Sequence, residues 1–193
     1  MKNIFTALMI LMFMGSNLVA KDMKVEALTT LKGDLETYKN ATMKGDVDSL
    51  MGFVYPTIFT ISPKEAMTSM FKEMYASGKM PKINKMDFTK IHPVEKFDKG
   101  TFTTVDYTMN MKMTLGELKP EMKSQMLEML KAQMGENSKV SLDDKTNTFH
   151  IEKQSVLIAI KEGKESWKFI EKVQTAPLVQ AKLLPAQIIE KLK

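Results

Sequence analysis

From Val105 to Met113, apolar and polar residues alternate without a break. Val105, Tyr107, Met109, Met111 and Met113 fall on one side of an extended chain, and Asp106, Thr108, Asn110 and Lys112 on the other. A helix, with its period of about 3.6 residues, would scatter both sets around its circumference. The segment reads as a half-buried strand whose first set lines a core. The rest of the chain must supply a layer to cover that face.

Helices supply it. Leu28, Leu31, Leu35, Tyr38 and Thr42 follow the helical period over Val25–Met43, and Gly45 can end that helix. Asp46 is a good N-cap for a short second helix with Val47, Leu50, Met51 and Val54 as its stripe. Tyr55-Pro56 stops it, because the residue before proline disfavours the helical region. Thr57–Ile61 reads as a short strand. Ser62-Pro63-Lys64-Glu65 reads as a capping box with proline at the first helical position. The helix it opens carries Met67, Met70, Phe71 and Met74, and Gly78 closes it.

Beyond it, Met86–Leu115 reads as two main strands joined at Asp98-Lys99-Gly100. Pro120 opens a helix to about Met134, with Met122, Met126, Met129 and Leu130 as its stripe. Strands follow at Lys139–Leu142, at Thr148–Ile160 and around Trp167 and Phe169, with Trp167 expected on the inner face. Pro185 starts a short closing helix. The expected architecture is α+β: a curved, mainly antiparallel sheet with the N-terminal helices packed on its concave face as a cone, plus an inserted helix near 120–134.

The chain opens with Lys2, then Ile4–Met14 with Thr6 as the only polar residue, then Gly15-Ser16-Asn17 and Leu18-Val19-Ala20 before Lys21-Asp22. This is the layout of an export signal cut after Ala20. Its apolar run is short for a membrane span, although an uncleaved anchor remains the alternative. The expected organisation is a signal at 1–20 and one domain over 21–193, periplasmic or secreted, with no stable membrane span after signal removal.

There is no cysteine, so disulfides, thiolate metal sites and cysteine nucleophiles are excluded. All 28 basic residues are Lys, the net charge is only +5, and no basic block occurs. Nucleic-acid binders concentrate positive charge and favour Arg forks. Nucleic acid is therefore not an expected partner.

Tyr38-Lys39-Asn40-Ala41-Thr42-Met43-Lys44-Gly45-Asp46-Val47-Asp48-Ser49-Leu50, then Tyr55-Pro56-Thr57-Ile58-Phe59, and the closing Glu165-Ser166-Trp167-Lys168-Phe169-Ile170, resemble the nuclear-transport-factor-2-like superfamily. The resemblance runs from about Val25 to Val173, with the helix at 120–134 as an insertion. It implies a cone whose helices and concave sheet enclose an apolar pocket. It implies no activity, because fold alone does not fix function.

Some proteins of that superfamily are ketosteroid isomerases, scytalone dehydratases and limonene-epoxide hydrolases, with Asp, His or Tyr inside the cone. Here Asp106 points away from the apolar set, and neither His92 nor His150 has an acidic partner at a diagnostic spacing. No catalytic residue is assigned. Met109, Met111 and Met113 share a face, and thioethers suit Cu(I), but a buried strand produces the same spacing. Asp143-Asp144 lacks the remaining pattern of a calcium loop. No metal ligand or cofactor is assigned.

Tyr38, Tyr107 and Trp167 each lie on the inward side of their own element, so they are the candidate ligand-binding residues. The expected role is binding of a small apolar ligand, or of a protein partner or second copy of the chain. For a protein partner, the helix at 120–134 is the expected binding surface. The alternatives are a small hydrolase or isomerase working in the pocket, and methionine-based copper binding. A carboxylate or His within hydrogen-bond reach of a Tyr in the pocket would favour the enzyme.

Overall fold

The computed structural model describes residues 25–78, 80–116 and 119–192. The expected export segment, residues 1–20, lies outside the described residues.

Helix α1 spans 25–44, and its buried Leu31 and Leu35 come from the expected stripe. Gly45 follows with φ +68, a left-handed turn that glycine adopts without strain. Asp46 then caps α2 (Val47–Phe53), its side chain accepting from the Ser49 amide. Pro56–Thr60 is a 3-10 turn, not the expected strand. Pro56 suits the first helical position, and Ile58 and Ile61 bond back to the carbonyls of Tyr55 and Ile58. Those local bonds satisfy the backbone without a partner strand.

Helix α3 is Lys64–Ala76. The expected capping box does not form: Pro63 holds the cap position and no side chain caps the helix. Its inward residues are Met67, Phe71, Met74 and Tyr75, whereas Met70 is exposed.

Six strands form one antiparallel sheet: β1 (Lys82–Ile91), β2 (Glu95–Phe97), β3 (Gly100–Thr114), β4 (Ser138–Asp143), β5 (Thr148–Glu162) and β6 (Lys168–Glu171). The long β3 and β5 run side by side through the centre. At one end they are flanked by β1 and β4, at the other by β2 and β6. Register breaks in β1 after Ile83 and Phe88 mark bulges, which bend a sheet. Helix α4 (Pro120–Met134) lies between β3 and β4 in sequence and packs on β4. Its inward residues are Met126, Leu127, Leu130 and Met134, so the stripe is turned from the expected one and leaves Met122 and Met129 exposed.

The two sheet faces hold separate cores. On the concave face, Leu31 and Leu35 of α1 pack on Val105, Tyr107, Met109, Leu157 and Phe169, with Trp167 among them. On the convex face, Phe102, Ile158, Ile160 and Ile170 are covered by Leu178, Leu184 and Ile188. These come from α5 (Ala176–Gln180), which the sequence pattern did not announce, and from the segment of α6 (Ala186–Leu192). Each such buried side chain contributes about 1.5–3 kcal/mol. Among the described residues, no helix is long and apolar enough to cross a membrane.

Candidate functional site

The two-residue period of the strands decides which side chains meet inside the cone. Tyr107 pairs with Ser155, and Met109 with Lys153, so Lys153 joins the concave face two residues from Ser155. Leu157 pairs with Val105 on one side and with Glu171 on the other. Tyr107, Lys153 and Glu171 thus project to the same face of three adjacent strands.

They meet there. The Tyr107 hydroxyl donates to Glu171 Oε1 at 2.7 Å, and the Lys153 ammonium donates to Glu171 Oε2 at 2.7 Å. The Lys153 and Glu171 side chains are only 16 % and 20 % exposed. A pair this sheltered is screened weakly by salt.

Beside this cluster lies a cavity of about 500 Å³. Tyr38 and Thr42 of α1 form part of its wall, with Val47, Leu50 and Met51 of α2. The inner side of α3 adds Met67, Phe71 and Tyr75. The sheet adds Ile83, Met109, Met111, Leu157 and Phe169, and α4 adds Met134. Lys153 and Glu171 are the charged residues on the wall among the described residues. An apolar concavity with a few convergent polar groups is the usual form of a small-molecule site.

Helix α3 contributes none of its residues to the fully buried core. Its apolar stripe faces the cavity, and the helix rests against α2. On the other wall, Tyr38 is wedged between aromatic rings. Its centroid lies 5.0 Å from that of Phe169 and 6.1 Å from that of Phe53, which fixes the ring.

Burial first, and the Glu171 carboxylate second, push the Tyr107 and Tyr38 phenols far above their ordinary range. Both stay protonated at neutral pH, and Tyr107 spends its proton on Glu171. Outside the cavity wall, Tyr55 donates to Glu162 Oε1 at 2.8 Å. Burial and that bond push its phenol up to about 12.

Of the three expected ligand-binding residues, Tyr38 lines the cavity, while Tyr107 and Trp167 do not. Tyr107 is 1 % exposed and touches the cavity through Glu171. Trp167 immediately precedes β6, wholly buried beneath α1. Its indole N–H donates to Thr30 Oγ1 and its backbone N–H to Asp34 Oδ2. The reason is positional: α1 seals the sheet where Trp167 lies, and the cavity opens toward α2 and α3.

Lys153 and Glu171 are site residues that the sequence reading missed. Counting by twos gives Trp167, Phe169, Glu171 in one strand and Ile151, Lys153, Ser155, Leu157 in the other. That parity was the available signal.

His92 does have an acidic partner, contrary to the spacing argument: its Nε2 lies 3.0 Å from Asp106 Oδ2. The pair is half-exposed and does not line the cavity, as expected for Asp106 on the outward face. Asp143 accepts from the Lys145 amide and the Thr146 hydroxyl, holding a surface turn. Met109 and Met111 line the cavity, but Met113 does not. Among the described residues, no group of three or more His, Cys, Asp or Glu is placed to hold a metal ion. Comparison with protein-family models, curated proteins and solved structures finds no match.

Proposed function

We propose that this is an exported binding protein for a small, mainly apolar molecule, built on a nuclear-transport-factor-2-like cone. One observation carries the reading: an apolar cavity of about 500 Å³ with one polar cluster, Tyr107–Glu171–Lys153, at its wall. The α+β order, with helices at 25–76 before a curved sheet, supports the family proposal. The layout from Lys2 to Ala20 supports export. Mass spectrometry of the mature chain tests that part, and an intact first segment on a membrane-bound protein would replace it with the anchor reading.

The binding reading is tested by displacement of a fluorescent apolar probe by long-chain alcohols and similar molecules. Saturable binding is expected at one site, lost in Phe71→Lys, where a charge would enter the cavity wall. Unchanged binding in that variant would place the ligand elsewhere.

A second reading is favoured by a specific contact. Glu171 is a carboxylate on the cavity wall within hydrogen-bond reach of Tyr107 behind it, an arrangement close to what an isomerase or hydrolase would need. In that case Glu171 takes a proton from bound substrate, or from water, and neutral Tyr38 donates to the developing oxyanion. Both carboxylate oxygens are already engaged, by Tyr107 and by Lys153, which favours binding over catalysis. Turnover of an enolisable ketone or an ester, abolished by Glu171→Gln while binding persists, would reverse that order.

A further inference from the structure

We infer that the cavity selects a neutral polar group on its ligand: an apolar molecule ending in a hydroxyl, amide or carbonyl, in preference to the matching carboxylate. The inference rests on the binding reading and sharpens it.

The charges on the cavity wall decide the matter. Among the described residues, Lys153 and Glu171 are the charged ones lining it. They are paired at 2.7 Å, so the wall carries no net charge. The remaining titratable side chains there, Tyr38 and Tyr75, are phenols whose burial keeps them protonated. Tyr107, behind Glu171, is protonated too.

The pair has spare capacity of both kinds. The ammonium has three hydrogens and uses one on Glu171. Each carboxylate oxygen accepts one bond and has a further lone pair. Tyr38 adds a hydroxyl and Gln174 an amide to the same cavity. A hydroxyl or amide on the ligand both donates and accepts, so it can bond to both halves of the pair without separating them.

A ligand carboxylate cannot do this. It has only acceptors, and it would enter beside the Glu171 carboxylate. To gain Lys153 it must take that ammonium from Glu171, which leaves one carboxylate sheltered and uncompensated. A ligand ammonium meets the mirror problem at Lys153.

The test uses the full chain and a matched pair of probes, dodecanol and dodecanoate, by calorimetric titration at neutral pH. Wild type is expected to bind dodecanol at least about tenfold more tightly, because the buried anion lacks a compensating charge. Glu171→Gln removes the negative charge and leaves Lys153 free, so the preference should invert toward dodecanoate. Lys153→Met should weaken dodecanoate further and admit dodecylammonium. Circular dichroism checks that each variant folds, and the wild-type comparison stands without any variant.

Equal or tighter binding of dodecanoate by wild type would overturn the inference and leave the binding reading in place. Dodecanol selectivity that persists in a folded Glu171→Gln protein would also overturn it, because the ion pair would not be its source. Wild type that binds none of the probes would overturn both.

Discussion

The Tyr107 hydroxyl donates to Glu171 Oε1 at 2.7 Å, tying the central strand β3 to the last strand of the sheet, β6, beside the cavity. Glu171 is the final residue of β6, after which the chain turns away. The bond therefore fixes a carboxylate that has sheet on one side only.

Removing that donor should be felt both in stability and in the site. Tyr107→Phe leaves a sheltered carboxylate oxygen without its partner, and hydrogen bonds to charged groups contribute about 1.5–3 kcal/mol. Urea unfolding should show a loss of about that size. Tyr38→Phe makes the contrasting case: it keeps the ring between Phe53 and Phe169, so stability should hold. A ligand that bonds to that phenol should weaken by about 1 kcal/mol. Equal destabilisation by the two changes would count against the assigned roles.

Part of this site was legible in the chain and part was not. The alternation from Val105 to Met113 and the stripe from Leu28 to Thr42 put α1 on the correct sheet face. Tyr38 was found in that way. Glu171 was missed because a charge at a strand end reads as its boundary, and Lys153 because a lysine within a strand reads as solvent-facing. What brings residues 107, 153 and 171 together is pairing between distant strands, which local periodicity does not carry. The same holds for α5, whose Leu178 is buried in the convex-face cluster and shows no periodic stripe of its own.

Trp167 should report folding rather than ligand. It is wholly buried away from the cavity wall, so its emission should be blue-shifted and change little when the cavity fills. Asp34→Ala should cost about 1–3 kcal/mol by leaving the Trp167 amide unpaired. A large, saturable change in emission on ligand addition would show that the cavity extends beneath α1.

Alkaline pH should destabilise the fold. In the unfolded chain the phenols ionise near their ordinary value of 10.0, whereas folded Tyr55 holds its proton to about 12. Folded Tyr38 and Tyr107 are shifted in the same direction. Above the unfolded value the native state binds more protons, so stability falls as pH rises. This contribution is complete below pH 10.0 and is lost progressively above it, through about 12 for Tyr55. Urea midpoints measured across that window should decline, and less steeply in Tyr55→Phe. A flat profile would contradict the burial of these phenols.

Two glycines separate backbone strain from crowding. Gly45 has φ +68, and an added Cβ would lie 2.7 Å from Tyr75 Cε1. Gly78 has φ +67 with nothing within 4 Å. Alanine at 78 should cost about 1 kcal/mol, the strain of the left-handed backbone. Alanine at 45 should cost more, because the Tyr75 ring must also move. Thermal melts that show equal losses would mean that the ring yields freely.

Met109 is 7 % exposed, and its replacement tests the copper alternative. Met109→Leu conserves volume and should cost under about 1.5 kcal/mol. Met109→Asp would bury a charge and should unfold the domain. Tight, stoichiometric Cu(I) binding that disappears in a stable Met109→Leu protein would favour the metal reading.

The two bonds that hold Trp167 to α1 span 133 and 137 residues of chain. They set an order of assembly. A nascent chain that has reached only Gly163 contains all of α1 and most of the sheet, yet lacks the residue that latches the helix. The central ladder of β3 and β5 can form before that, since both strands are then present. Completion of the α1 contact is therefore a late event in synthesis, and contacts this distant belong to slow-folding topologies. A protein truncated after Gly163 should leave α1 open to proteases while the full chain protects it. Until Trp167 arrives, Leu31 and Leu35 have their partners on β3 and β5 but lack the indole that completes their cluster.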